Sequence, residues 1–410
     1  MKSSNDNHKA VYMDYAATSP VDPVVLEKMI PYYQVKFGNA TSRNHKFGWE
    51  AEEAVETARE HVAKLINASA KEIIFTSGAT ESNNLALQGV VNMYKQKGNH
   101  IITCVNEHKA VLDPANYLGT LGYDITFLPV DGQGMIDLAQ LADAITPKTI
   151  LISLMAVNNE TGNIYPTAEI GKLAKEKGIL FHTDATQAVG KIEIDVDKMG
   201  IDLLSLSAHK MYGPKGEGAL YVRRKNPRVR LGAVQHGGGH ERGMRSGTLN
   251  VPGIVGLGEA CRLCHTRFKE DFQYISKLRK MLLDGLTKEV DMMVVNSHPE
   301  KCVPNILNIS FEYIEGESLM MGIDLIAVSS GSACTSASLE PSYVLKNAGL
   351  GDELAHSSIR FSFGRFTTLD DVQFTIDSMK RVVKKLREMS PLYELVKEGV
   401  DLSTISWSAH

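Results

Sequence analysis

Residues able to do covalent chemistry recur in this chain at the ends of short apolar runs, and the most informative of them is Lys210. The stretch Asp202–Tyr221 reads Asp-Leu-Leu-Ser-Leu-Ser-Ala-His-Lys-Met-Tyr-Gly-Pro-Lys-Gly-Glu-Gly-Ala-Leu-Tyr. It delivers an amine from the end of a strand, after Ser207 and His209, into a glycine-rich turn. Rigid backbone there can hold a lysine against a cleft, as a Schiff-base lysine requires. Taken alone, the same residue also reads as a solvated lysine in a strand-to-hairpin loop.

A second segment pairs with the first. The run Glu72-Ile-Ile-Phe-Thr76 predicts a strand, followed directly by Ser77-Gly-Ala-Thr-Glu-Ser-Asn-Asn84 and a helical Leu85–Lys95. A glycine turn leading to a helix start offers free backbone N–H groups and the positive end of the dipole, so a phosphate is its natural guest. A capped turn without a ligand is the ordinary reading. Further strands are expected at Ile101–Val105, Ile125–Val130, Thr149–Met155, Ile179–Thr183 and Leu203–Ser207, with helices at Leu138–Ile145 and Thr167–Lys177. Strands alternating with helices predict a parallel sheet covered on both faces, with ligands beyond the carboxyl ends of the strands.

Those ends carry Ala79 and Thr80, His108, Asn159, Asp184 with Gln187, and Ser207 with His209 and Lys210. Each has a local reading as a cap, loop or turn residue; their coincidence on one edge points to a site. A lysine, an acid for a ring nitrogen and a phosphate seat make up the protein's share of pyridoxal-phosphate chemistry.

Other segments keep two readings. Arg223-Arg-Lys-Asn-Pro-Arg-Val-Arg230 is a solvated loop or a surface for a negatively charged partner. Gly237–Thr248 brings backbone close to something and offers Arg242, Arg245 and Thr248 to an anion, or is a connector. Cys261-Arg-Leu-Cys264-His265 matches haem-attachment and redox patterns, yet it continues a helix and reads as two helical cysteines. Cys334 sits in Ser329-Ser-Gly-Ser-Ala-Cys-Thr-Ser-Ala-Ser338, whose small polar neighbours predict a mobile, exposed loop rather than a core. Arg360, on a short strand, is a carboxylate clamp or an ordinary ion pair.

The elements that must position these residues fit an α/β chain of 410 residues with 43% apolar content, long enough for two domains. We expect a large domain over 16–264 with a mostly parallel sheet, and a smaller α+β domain from 1–15 and 265–410 that carries the Cys334 loop. A net charge of −4 argues against direct nucleic-acid binding or an anionic membrane surface. Five scattered cysteines, no apolar leader and no bilayer-length apolar run predict a cytoplasmic, reducing setting. No cysteine or histidine spacing suggests a metal site.

Together Tyr12–Thr18, Ser77–Asn84, Glu107-His-Lys, Asn158-Asn-Glu-Thr-Gly, His182-Thr-Asp-Ala-Thr-Gln, Ser207-Ala-His-Lys, Arg245-Ser-Gly-Thr and Ser329–Ser336 resemble the cysteine desulfurase family of the class V aminotransferase superfamily. The match is best to its housekeeping IscS/NifS-like, iron–sulfur-cluster type, and it runs along essentially the whole chain. The resemblance implies a fold type I homodimer dependent on pyridoxal 5'-phosphate and acting on L-cysteine. It gives Lys210 as the Schiff-base lysine; Ala79, Thr80, Ser207 and His209 on the phosphate side; and Thr248 reaching the neighbouring subunit's cofactor. It gives Asp184 on the ring nitrogen, Gln187 on the ring hydroxyl, His108 stacked as proton shuttle, Asn159 and Arg360 on the substrate carboxylate, and Cys334 as the nucleophile that takes up a persulfide.

The sulfur acceptors it implies are an iron–sulfur scaffold protein and tRNA-thiolation proteins, with Gly399–His410 as a docking surface. Gly38-Asn-Ala-Thr-Ser has alanine where many relatives carry proline, which touches only loop stiffness. The competing expectations are another fold type I enzyme, an aminotransferase or selenocysteine lyase with an incidental Cys334, and a non-catalytic sulfur carrier that keeps the fold.

Overall fold

The computed structural model describes residues 10–330 and 340–399. In chain order the first part contains β1 (Val11–Tyr12), α1 (Pro23–Gln34), α2 (Lys46–Leu65), β2 (Ile73–Thr76), α3 (Ala79–Tyr94), β3 (His100–Cys104), α4 (Lys109–Thr120), β4 (Asp124–Leu128), α5 (Leu138–Ala144), β5 (Thr149–Ser153), α6 (Thr167–Lys177), β6 (Leu180–Asp184), β7 (Leu203–Ser207) and β8 (Gly218–Val222). The second part contains α7 (Val251–Glu289), β9 (Met293–Val295), β10 (Ile306–Phe311), α8 (Gly316–Gly322), β11 (Ile326–Ala327), β12 (Ser329–Ser330), α9 (Tyr343–Asn347), α10 (Asp352–His356), β13 (Ser358–Ser362), α11 (Leu369–Glu388) and α12 (Pro391–Lys397).

Seven strands form the main sheet in the order β2-β8-β7-β6-β5-β3-β4. β8 runs antiparallel to both of its neighbours, while the other pairings are parallel. Every residue of β3, β5, β6 and β7 is buried, as expected of strands covered by helices on both faces. On one face Ala51, Val55, Ala58 and Val62 of α2 pack with Ile254, Leu257 and Cys261 of α7 against Phe75, Phe181 and Leu204. On the other, Leu85 and Val90 of α3 and Val111 and Leu118 of α4 meet Ile74, Ile101, Leu151 and Leu203.

A smaller antiparallel sheet, β12-β13-β10-β9, has its own core. Leu307, Ile309 and Phe361 pack there with Leu278, Leu282 and Leu286 of α7 and with Val372, Met379 and Val383 of α11. α7, with 39 residues and a length of about 58 Å at 1.5 Å per residue, supplies apolar side chains to both cores. Cys261 and Cys264 lie buried on it as free thiols.

Three local expectations differ from the fold. α3 begins at Ala79, six residues before the expected Leu85. The polar run that weakens helix propensity is satisfied instead: Ser82 Oγ meets Thr76 Oγ1 at 2.8 Å, and Asn84 Nδ2 donates to Thr80 O at 3.0 Å. α4 was not foreseen, because Pro114 lies inside it. Arg223 is not part of a solvated loop: its guanidinium is buried against Asp197, Asp202 and the carbonyls of Val196 and Ile201. Among the described residues no helix is long and apolar enough to cross a membrane, and no cluster of His, Cys, Asp or Glu could hold a metal.

Candidate active site

Because β2, β3, β5, β6 and β7 run in one direction, their carboxyl ends share an edge, and a cleft of about 590 Å³ opens beyond it. Lys210 enters this cleft through a single 3-10 turn, Ala208–Lys210, at the end of β7. Its Nζ donates to Ala16 O and Ala17 O, both at 2.7 Å. The segment just after β1 therefore seats the lysine from across the chain.

Asp184 closes β6 with both oxygens engaged. Oδ2 accepts from Asn83 Nδ2 at 2.7 Å and Oδ1 from Thr186 N at 3.0 Å. Two residues earlier His182 bridges Ser153 Oγ at 2.8 Å and Ser205 Oγ at 3.0 Å, and complete burial pushes its pKa down to about 4. That imidazole is neutral and packs as part of the sheet.

His108 caps α4: its Nδ1 accepts from Ala110 N at 3.1 Å, so a neutral ring carries its proton on Nε2. Burial lowers its pKa, against the opposing pull of Asp184 and with help from Lys210. His209 sits with Nδ1 at 3.2 Å from Thr18 Oγ1, and burial followed by the charges of Lys210, Lys215 and Lys191 pushes it to about 4. Both rings stay neutral at physiological pH.

The start of α3 makes a concave floor. Gly78 adopts φ +149°, and no side chain caps this 16-residue helix. Ala79 and Thr80 line the cleft with Ser77 and Ser207. β8 passes so close beneath that a Cβ on Gly218 would lie 2.6 Å from Gly78 Cα. Glu81, in the first turn, accepts from Ser77 N at 2.7 Å and pairs with Arg245 Nε at 2.8 Å, so Arg245 is committed to Glu81 rather than offered to an anion. Arg242 is exposed, donates one bond to Ile73 O at 3.1 Å and does not line the cleft. Thr248 is exposed and does not line the cleft.

Arg360 arrives from β13 of the smaller sheet. Nη1 donates to Asn159 O at 2.8 Å, and Nη2 to Asp14 Oδ1 and Ser329 Oγ, each at 3.0 Å. Its Nε, together with Asn159 Oδ1 and Thr186 Oγ1, is buried without a hydrogen-bond partner. The residues that carry these atoms line the cleft. Cys334 lies outside the described residues. On either side of that segment, Ser329 Oγ donates to Asp14 Oδ1 at 2.9 Å and Ser342 Oγ to Glu160 Oε2 at 2.5 Å.

The cleft thus assembles Ala79, Thr80, His108, Asn159, Asp184, Gln187, Ser207, His209, Lys210 and Arg360, and leaves Thr248 apart. Sequence reasoning missed Asn83, the Ala16 and Ala17 carbonyls, Asp14 and Thr18. All of them lay within Tyr12–Thr18 or Ser77–Asn84, motifs already singled out, but nothing local tells a helix asparagine that it will meet the carboxylate of Asp184. These residues fit pyridoxal 5'-phosphate: an uncapped helix start with a glycine turn for the phosphate, a carboxylate for the ring nitrogen, and a lysine held between them.

The family model for aminotransferase class-V matches residues 11–374. Cysteine desulfurase IscS of Anaeromyxobacter sp. (strain K) is 58% identical over 398 residues, covering 97% of this chain and 98% of its own. Among solved structures, a NifS-like protein superposes with a TM-score of 0.85 at 38% identity, over 92% of this chain and 100% of its own. The structure of SspA in complex with cysteine aligns with a TM-score of 0.78 at 38% identity, over 87% of this chain and 100% of its own.

Proposed function

This chain belongs to the aminotransferase class-V family and, within it, to the cysteine desulfurases, and we propose that the strand-end cleft is where its pyridoxal 5'-phosphate and L-cysteine meet. The enzyme removes sulfur from L-cysteine and leaves L-alanine. The observation that carries the site assignment is the convergence of Lys210, Asp184 and Arg360 on one cleft from three separate strands.

When bound, the cofactor supplies an electron sink that stabilises loss of the substrate's α-proton. Lys210 Nζ anchors it. Asp184, held by Asn83 and Thr186 N, keeps a proton on the ring nitrogen, because a carboxylate beside that nitrogen favours the charged ring. Ala79, Thr80, Ser207 and neutral His209 line the phosphate side. His108 lines the cleft and would serve the cofactor ring as proton shuttle through Nε2, the nitrogen left by the Ala110 bond. The Arg360 guanidinium and the Asn159 amide N–H, from two residues that line the cleft, take the carboxylate of L-cysteine. The Cys334 thiol accepts the substrate sulfur, so one C–S bond breaks, one S–S bond forms, and the products are a persulfide and L-alanine.

The wider readings go with this one. Residues 16–264 form the cofactor-holding domain, and 1–15 with 265–410 the smaller one; Ala16 and Cys264 belong to one core, Met13 and Ile275 to the other, which supports the division. The protein works as a homodimer in which Thr248 reaches the neighbouring cofactor. Its sulfur goes to an iron–sulfur scaffold protein and to tRNA thiolation, and Gly399–His410 helps dock acceptors. The chain acts in the cytoplasm.

Lys210→Ala is expected to abolish the cofactor's near-visible absorbance. Cys334→Ala is expected to keep that absorbance and lose sulfide release from L-cysteine. Sulfide release by Cys334→Ala at the parent rate would overturn the role of Cys334, and a mass increase of one sulfur on Cys334 after exposure to L-cysteine would support it.

A further inference from the structure

Lys191 has no place in the chemistry above, yet it is turned inward. It closes the turn 185–191 after β6, where Lys191 N bonds to Ala188 O, and lies four residues beyond Gln187. Its Nζ donates to Gln187 Oε1 at 2.7 Å. It borders a cavity of about 30 Å³ shared with Lys210, Tyr15 and Cys264. Burial, and then the charge of Lys210, push its pKa down to about 7. Lys191 as a whole is half-buried, with its Nζ turned to Gln187. The turn is also tightly fitted: a Cβ on Gly190, at φ +76°, would lie 2.9 Å from Cys264 Sγ.

The bonding around Gln187 sets the direction of its amide. A backbone carbonyl can only accept, which fixes Gln187 Nε2 on Ala16 O, and Lys191 offers donors as ammonium or as amine. Lys191 therefore takes Gln187 Oε1, while Ala16 O takes Gln187 Nε2 at 2.8 Å. Ala16 O is shared with Lys210 Nζ, whereas Lys191 holds the amide oxygen. Gln187 lines the cleft and Lys191 does not, so the oxygen is drawn away from the cleft and the second Nε2 proton remains for it. An amide fixed this way donates to a ring oxygen and offers nothing to a ring hydroxyl proton.

Resting on the reading of Gln187 as the contact to the cofactor's ring oxygen, we propose that Lys191 is a positioning residue. From behind the cleft it holds Gln187 Oε1 and so commits Gln187 to donate an N–H to that oxygen. Apoprotein binding of pyridoxal 5'-phosphate, compared with its analogue lacking the ring oxygen, tests this without any turnover. Lys191→Met is expected to weaken the cofactor about tenfold, the worth of one well-placed hydrogen bond, and to leave the analogue within about twofold of the parent. It is also expected to shift the near-visible band of the reconstituted protein. Lys191→Arg, which retains donors, is expected to keep the discrimination.

Equal weakening of both ligands, or no weakening of either, would overturn the proposal, because a merely structural lysine would not tell them apart. If the parent itself fails to discriminate, the Gln187 reading falls and this proposal with it. If the parent fails to bind either, the cleft assignment falls. Should Lys191→Met give no folded apoprotein, Lys191→Ala, which also lacks a donor, makes the same comparison.

Discussion

Arg360 joins parts of the chain that no local pattern connects. Its guanidinium spans Asn159 O, Asp14 Oδ1 and Ser329 Oγ, and its Nε is buried without a hydrogen-bond partner. An ammonium group cannot reproduce that planar fork. Arg360→Lys is therefore expected to raise KM for L-cysteine by about tenfold or more, in line with loss of a charge-assisted bond. Steady-state kinetics would check it; an unchanged KM would remove Arg360 from substrate binding. At this scale the residues beyond strand ends were readable, since Asp184 and Lys210 follow apolar runs that could hardly be anything but strands. Their partners were not. Ala16 O under Lys210 and Asn83 against Asp184 depend on chain segments meeting across long separations, and neither residue type advertises such a role.

The start of α3 depends on an approach between two backbones. A methyl group on Gly218 would press on Gly78 Cα at 2.6 Å and on Leu206 O at 2.6 Å, and neither is the movable end of a side chain. Gly218→Ala is expected to cost about 1–3 kcal/mol of stability by overpacking and to weaken cofactor binding as the Gly78 turn shifts. Chemical denaturation and cofactor titration would check the two effects separately; intact affinity with lowered stability would show that the turn holds its place. The sequence-level helix start was late here because Ser82, Asn83 and Asn84 weigh against helix by propensity. Their side chains are tied to Thr76, Asp184 and Thr80, which lifts that penalty. The alternating βα pattern was plain, whereas α4, with its internal proline, and the burial of Arg223 became clear only in three dimensions.

At the scale of the molecule, the turn after β5 meets the smaller sheet through Glu160. Asn308 Nδ2 donates to its carbonyl at 3.2 Å, and Ser342 Oγ to its carboxyl. Burial raises its pKa to about 7, more than Ser342 and Arg360 pull it down. A carboxyl raised by folding stabilises fully below its unfolded pKa near 4.5, and that contribution is lost as pH climbs to about 7. Glu160→Gln cannot ionise, so its melting temperature is expected to gain on the parent from about pH 5 to pH 7 and to level off above that. A difference that stays flat across that range would mean Glu160 is already ionised in the fold.

The ion pair of Asp14 with Arg360 also bears on how the protein is made. A chain leaves the ribosome amino end first, so Ala16, Lys210 and Asp184 are all outside well before Arg360 is added. The strands that end at Asp184 and lead into Lys210 are therefore synthesised about 150 residues or more before the strand that carries Arg360. If Arg360 is the carboxylate clamp proposed above, the unfinished polypeptide lacks it, together with Cys334, through most of translation.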